Sequence, residues 1–395
     1  MHKIAMTMAT DKQNKNLNVP NLRFPEFTGE WRKEKLKNKC SFFSGETPSS
    51  TNKAYYNGNI PFIRSGEIAK SSTELFLTEL GLNNSSAKMV DEGDLLLALY
   101  GATSGQIAIS KIKGAINQAI LCIRAPYDKK FLMSVWEKRM DKILQAYLQG
   151  GQGNLSAEIV KNLQFAFPSL NEQIKIGNFL SLIDERIATQ SRIIEDLEKL
   201  RSAIIEKSYN QKQPNQKIGD VITQIAFRNR NGNNVPVLSV NNRRGFIEQS
   251  EQFEDRIVAS EDTSNYKIVC KNNFAYNPAR INVGSIARLI SFEEGIVSPM
   301  YICFKTKTEI LPEYLEHFFA TRHFYYEIKK RLEGSVRLCL SWEGLCNIPI
   351  FIPSIKEQKH IGKQMIVISD KIVSEKHYIE LLKMQKLYLL SQLFI

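Results

Sequence analysis

The chain repeats itself, and a repeat of this size leaves few folds open. Pro168-Ser169-Leu170-Asn171-Glu172-Gln173 recurs as Pro353-Ser354-Ile355-Lys356-Glu357-Gln358, an offset of 185 in a chain of 395 residues. Both copies run on through an Ile-Gly pair, Ile176-Gly177 and Ile361-Gly362, into long stretches without proline. Ser169 with Glu172 and Ser354 with Glu357 have the S-x-x-E spacing of a capping box, each behind a proline, so each copy predicts the start of one long helix. Apolar residues then fall at Ile176, Leu180, Ile183, Ile187, Ile194, Leu197 and Ile204 in the first copy. The second answers with Ile361, Met365, Ile368, Ile372, Ile379, Leu382 and Leu389. Steps of four and three define an a/d seam. The breaks match too: Gln190 stands where Glu375 stands, and Arg201 corresponds to Lys386. Matched breaks predict that the two seams face each other, with the polar residues lowering stability and fixing register. Two separate surface helices, each packed on its own domain, are the alternative.

The rest of the chain aligns more weakly. Ser104-Gly105-Gln106-Ile107-Ala108 matches Val283-Gly284-Ser285-Ile286-Ala287 at an offset of 179, and Gly114 through Cys122 matches Gly295 through Cys303 at 181. One unit is present twice, its framework kept and its exposed positions changed. Asp94 to Leu99, Ala119 to Ile123 and Tyr301 to Phe304 read as strands; Phe131 to Leu148 and Pro312 to Leu332 read as helices. The expected architecture is α+β. An arm that is disordered, or follows an upstream start codon, covers 1–19, and a first domain covers 20–168 with its elements from about 30. A long helix spans 169–210 (core 171–208), a second domain 211–353 with elements from about 215, and a second long helix 354–395 (core 356–393).

Charge narrows the function. There are 53 Lys+Arg against 41 Asp+Glu, a net charge of +12, which points to a polyanionic partner. Hydrophobic residues at 43% exclude a disordered chain, and the apolar run at Leu95 to Tyr100 is far below the ~18 residues of a membrane span. Cys40, Cys122, Cys270, Cys303, Cys339 and Cys346 form no C-x-x-C pair, so free thiols in a reducing cytoplasm are expected rather than a zinc site. No secretory h-region opens the chain.

Candidate reading residues cluster between the strands. In the first domain they are Arg64, Tyr100, Thr103, Ser104, Gln106, Asn117 and Gln118, with Gln152 and Asn154 in a Gly-rich stretch. In the second they are Arg228, Arg230, Asn242, Arg243, Arg244, Tyr276, Asn277, Arg280, Asn282 and Arg337. Glycines admit close backbone approach, while Arg, Asn and Gln make the paired hydrogen bonds that identify guanine and adenine in the major groove. Ordinary turns and solvated charge are the plain alternative for each. Catalytic patterns are missing: there is no G-x-x-x-x-G-K-[ST], and Asn277-Pro278-Ala279-Arg280 lacks the second proline and the aromatic of an amino-methyltransferase motif. Asp91, Glu92 and Asp94 lack a nuclease lysine arrangement and suit a structural role.

Pro20-Asn21-Leu22-Arg23-Phe24-Pro25-Glu26-Phe27 followed by Gly29-Glu30-Trp31, with the duplicated Pro-Ser-x-x-Glu-Gln and Gly101-Ala102-Thr103-Ser104-Gly105, resembles the specificity (S, HsdS) subunits of bacterial type I restriction-modification systems. That resemblance implies two target recognition domains held apart by two long helices packed as an antiparallel coiled coil with an internal pseudo-twofold repeat. Each domain would read one half of a bipartite double-stranded DNA target. It further implies two methyltransferase (M) subunits and motor-nuclease (R) subunits as partners. The S-adenosylmethionine, ATP and magnesium chemistry would belong to the complex, with no cofactor or metal in this chain. The second domain departs from the first where Arg280 replaces Gly101 and Pro299 replaces Gln118. A self-contained DNA methyltransferase or nuclease with a degenerate site, and a purely structural coiled-coil adaptor, are the alternatives.

Overall fold

The computed structural model describes residues 7–8, 18–148, 155–210, 213–230, 235–242, 244–252, 262–335 and 337–395. They fall into two compact units, one running to Ser191 and including His377–Ile395, the other Arg192–Lys376. Of the expected N-terminal arm, Thr7–Met8 pairs antiparallel with Leu22–Arg23.

The first unit holds strands β1 (Ser41–Phe43), β2 (Tyr56–Ile63), β3 (Leu75–Leu77), β4 (Lys88–Val90), β5 (Leu95–Ala98), β6 (Ile107–Ile109), β7 (Gly114–Ile116) and β8 (Ile120–Arg124). They form two four-stranded sheets, ordered β3-β2-β7-β4 and β1-β8-β5-β6. Strand β5 is apolar at every position because both of its faces are covered. Leu95 and Leu97 join the core built with the helices, whereas Leu96 and Ala98 pack with Ile63, Val90 and Ile116 of the other sheet.

The second unit repeats this plan strand for strand. It has β9 (Ile222–Ile225), β10 (Val237–Asn241), β11 (Gly245–Glu248), β12 (Lys267–Cys270), β13 (Phe274–Tyr276), β14 (Ile286–Arg288), β15 (Glu294–Val297) and β16 (Ile302–Thr306). Their orders are β11-β10-β15-β12 and β9-β16-β13-β14. In each unit the single parallel pair of these sheets is the same, β2 with β7 and β10 with β15. Register follows the sequence repeat: Leu96 lies opposite Cys122, and Ala275 lies opposite Cys303.

The principal helices are α1 (Lys129–Leu148), α2 (Leu170–Asn210), α3 (Pro312–Phe318), α4 (Arg322–Arg331) and α5 (Ile355–Leu393). The single helix expected over Pro312 to Leu332 is two helices. The break is built by Thr321, fully buried, whose Oγ1 donates to the Phe318 carbonyl at 2.8 Å and accepts from the Phe324 amide at 3.1 Å. A threonine satisfied as the cap of a new helix offers the backbone a better arrangement than continuing the old one.

The long helices pack along the expected seam. In the first unit Ile176 and Leu180 of α2 share a core with Leu389, Leu390 and Leu393 of α5. Lys386 bonds there to Asp184 at 2.6 Å and Glu137 at 2.7 Å. In the second unit Ile205 and Tyr209 of α2 pack with Met365 of α5, and Lys376 reaches Glu198 at 2.7 Å. In each unit the beginning of one helix meets the end of the other, the arrangement of an antiparallel pair. Gln190 is buried in the first unit, and Glu375, half-buried in the second, pairs with Lys371.

The repeated Glu-Gln motif joins helix to sheets. Gln173, buried, accepts from the Asp128 amide at the head of α1 (3.1 Å) and donates to the Pro168 carbonyl (3.0 Å). Gln358 likewise accepts from the Leu311 amide (2.8 Å) and donates to the Glu309 and Pro353 carbonyls (3.0 and 2.9 Å). The capping boxes, in contrast, differ. Ser354 and Glu357 cap each other reciprocally. In the first copy Ser169 accepts from the Glu172 amide at 3.4 Å, but the Glu172 carboxylate turns away to a two-pronged pair with Arg23, 2.8 Å on each oxygen. The guanidinium is the stronger, charge-assisted donor and wins over the backbone amide. It ties the Pro20–Phe27 segment onto α2, where Phe24 meets Phe179 edge to face at 5.9 Å.

Removing a buried side chain with three such bonds strands two carbonyls and an amide. Gln358→Ala is expected to cost about 2 to 4 kcal/mol, and Gln173→Ala somewhat less. Urea unfolding midpoints measure both, and an unchanged midpoint for Gln358→Ala would show that this glutamine is not a structural joint.

Candidate nucleic-acid interface

The sheet topology gathers most of the sequence-predicted residues of the first unit at one end. Strands β2 and β7 run parallel with Ile63 opposite Ile116, so Arg64 and Asn117 leave their strands side by side. In the other sheet Ala98 lies opposite Ile120, which brings Tyr100 to the same end as Gln118. The β5–β6 connection turns there as well, the Ala98 amide donating to the Gln106 carbonyl at 2.8 Å. Its geometry needs Gly105, which has φ +86° and whose carbonyl is held by the buried indole N–H of Trp136 at 2.7 Å. Gly284 occupies the matching place in the second unit with φ +92°.

The individual side chains differ in freedom. Tyr100 and Gln106 are exposed, and Gln106 has no partner among the described residues. Thr103 is half-buried, and Ser104 donates to the Leu99 carbonyl at 2.9 Å. Asn117 Oδ1 accepts from the Ala119 amide at 3.0 Å. Thr47, not singled out from sequence, donates to Gln118 at 3.0 Å and accepts from Asn117 at 3.4 Å. Arg64 is ion-paired with Glu67 at 2.9 Å and also with Glu74. The guanidinium holds the Glu67 carboxyl down to about 2. Asp94 is buried on Arg124 at 2.6 Å, and Asp91 also bonds Arg124, so these acids serve the turn.

In the second unit, Asn242, Asn277 and Arg280 line a cavity of about 370 Å³ together with Ser239, Gln249 and Met300. Gln249 Oε1 is a buried acceptor with no donor among the described residues. Asn277 repeats the Asn117 arrangement, accepting from the Ala279 amide at 3.0 Å. Arg280 and Asn282 are exposed, and Arg280 has no acidic partner among the described residues. Arg228, exposed, bonds Asn265 at 2.9 Å beside Lys267. Arg230 and Arg337 are exposed, and Arg244 pairs with Glu251 at 2.8 Å. Tyr276 is corrected by the structure: it is fully buried, its hydroxyl donating toward the Leu340 carbonyl at 3.3 Å. Strand alternation turns it, with Phe274, into the helix-covered core. Gln152, Asn154 and Arg243 lie outside the described residues. Thr47, Glu67 and Gln249 were missed because each is an ordinary turn residue until the fold sets it beside a candidate, although Glu67 does stand three residues after Arg64.

Among the described residues no group of His, Cys, Asp and Glu could hold a metal ion, and no helix is long and apolar enough to cross a membrane. Burial raises the Cys122 and Cys303 thiols to about 12.

Comparison with known proteins places this arrangement. The family described as "Type I restriction modification DNA specificity domain" matches residues 28–199. The type I restriction enzyme MjaIX specificity subunit of Methanocaldococcus jannaschii is 29% identical over 182 residues, covering 43% of this chain and 42% of that protein. The MjaVIII specificity subunit of the same organism is 22% identical over 193 residues, 48% of this chain and 43% of that one. Each alignment thus spans less than half of the relative's own length. The fold agrees over nearly everything. The type I system S subunit from M. genitalium superposes with a TM-score of 0.60 at 18% identity, covering 95% of this chain and 99% of that one. A second solved chain, described for complex assembly and conformational transition of the type I R-M system, matches with a TM-score of 0.56 at 16% identity, over 93% and 98%. The chain thus carries a match to the type I restriction modification DNA specificity domain over residues 28–199 and shares the fold, duplicated sheets and paired helices included, of solved type I restriction-modification S subunits.

Proposed function

We propose that this chain is the DNA-reading subunit of a type I restriction-modification complex and carries no catalytic centre of its own. The observation that supports this best is the collection of Arg, Asn and Gln side chains at the strand ends of each unit, joined in the first by Tyr100. Each unit reads one half of a bipartite target. The first does so with a set around Arg64, Gln106 and Gln118 whose arginine is paired with acids, the second with a cationic set around Arg280. Different side chains on one framework suit two different half-sites.

The long helices serve the partners. Leu182, Val367, Val373 and Leu387 are each more than half exposed, off the seam, and suit the docking of methyltransferase subunits, which bring the S-adenosylmethionine chemistry. Motor-nuclease subunits would add ATP- and magnesium-dependent cleavage.

The purified chain is expected to bind duplex DNA with strong salt dependence and to transfer no methyl group. Methyl transfer by the isolated protein would establish the alternative, a self-contained methyltransferase. Gln106→Ala should relax selection in one half-site and Arg280→Ala in the other, each by about 1 to 3 kcal/mol at a base-reading position. Uniform weakening across all sequences would mean that these loops position DNA without reading it.

The helices also act as the ruler. Helix α2 has 41 residues, up to ~61 Å at ~1.5 Å per residue. Four residues inserted at matched places near Gln190 and Glu375 add ~6 Å, and at ~3.4 Å per base pair the spacer between half-sites should lengthen by about one to two pairs. The half-sites themselves should stay the same. Sequencing the methylated sites made by the assembled enzyme reads the outcome, and modification only at the original spacing would assign domain placement to the partner subunits.

A further inference from the structure

Arg64 combines exposure with constraint. It stands at the end of β2 beside Asn117, and 43% of its side chain is exposed. Its Nε and Nη2 nevertheless grip both oxygens of Glu67 side-on, at 3.0 and 2.9 Å. Glu67 is buried and its oxygens are fully used. Thr73 Oγ1 donates to it at 2.9 Å, and the amides of Arg64 and Glu74 donate at 3.2 Å each. Burying a carboxylate is costly unless it is paired and hydrogen-bonded. Here that cost is offset by a network that reaches the surface through the Arg64 guanidinium and the Glu74 carboxylate.

The fork leaves a defined set of donors. A guanidinium has five N–H groups in a rigid plane. Two are taken by Glu67 and one, on Nη2, by Glu74, whose side chain is 74% exposed. Nη1 has no partner among the described residues. Once the exposed Glu74 yields, Nη1 and Nη2 present two parallel donors on the end edge of the plane. With a carboxylate permanently on its side edge, this guanidinium is a weak ligand for phosphate. A neutral group with two adjacent acceptors suits it better. Among base edges in the major groove, guanine offers that pair, O6 and N7, whereas adenine sets a donor beside its N7.

We propose that Glu67 is a positioning residue that locks the side edge of Arg64 so that its end edge reads one guanine in the half-site bound by the first unit. This rests on the reading of that unit as a DNA-recognition module and names what one of its residues recognises.

The test uses the full chain assembled with its modification subunits. The recognised sequence is first read from methylated DNA. Competition binding then uses duplexes that each carry one altered base pair, or 7-deazaguanine in place of one guanine to remove N7 alone. Arg64→Ala and Arg64→Lys should each weaken cognate binding on the order of 10- to 100-fold. Both should lose discrimination at one guanine only, and 7-deazaguanine there should weaken the native protein but not the variants. Glu67→Gln should relax the same position partially, and Glu74→Gln should tighten binding. Thermal unfolding of the Lys and Gln variants checks that the fold persists. If Arg64 variants weaken all duplexes equally with a smaller salt slope, Arg64 is a phosphate contact and the proposal fails. It fails too if every base preference survives, because the network then only fastens the turn. A native complex that selects no sequence would overturn the DNA-reading function itself, a result separable from either.

Discussion

The buried glutamine at the start of each long helix is the joint on which the rest of the structure depends. Gln173 and Gln358 each bond backwards to the proline carbonyl just before their helix and sideways to the amide that opens the next helical segment of the same unit. A flexible connection would let helix and sheets tilt independently. Two such bonds at Gln173 and three at Gln358, sealed from water, remove that freedom, because a displaced helix would leave buried polar groups unpaired. Within each unit the helix and the segments it bonds are therefore held together as one piece.

Duplication has kept the frame and released the surface. The eight strands of one unit recur in order and register in the other, down to a left-handed glycine at Gly105 and at Gly284. Side chains at the strand ends are not tied to that frame. In the first unit the arginine is matched by acids, Arg64 with Glu67 and Glu74, while in the second Arg280 is exposed with no acidic partner among the described residues. A module whose core is decided by strand pairing and whose strand-end surface is decided by loop residues can change that surface without refolding.

Much of the fold was legible in the sequence, and the reasons are local. The seam residues from Ile176 to Leu389 are buried or half-buried, while Leu182, Val367 and Leu387, off the stripe, are exposed. The offsets of 179 and 181 match the recurrence of one strand pairing in both units, Leu96 on Cys122 and Ala275 on Cys303. The helix expected over Pro312 to Leu332 failed because Thr321 caps a new helix inside it, an outcome decided by how it is buried. The reciprocal cap at Ser169 failed because Arg23, 149 residues away in the chain, outbids the backbone for Glu172.

Sequence alone determined the duplication, the two matched apolar stripes and the basic character, since periodicity and charge are properties of the chain order and survive any arrangement in space. Tertiary structure alone decided which candidate residues face outward and in what state. Tyr276 and Arg280 are four residues apart in one stretch of candidates, yet one ends a strand and is sealed in the core while the other is exposed. Arg64 and Arg280 are the same residue type, yet one is gripped by a buried glutamate. The physical reason is that burial and partner choice are set by neighbours distant in sequence, so chemistry at a site is fixed only when the sheets close.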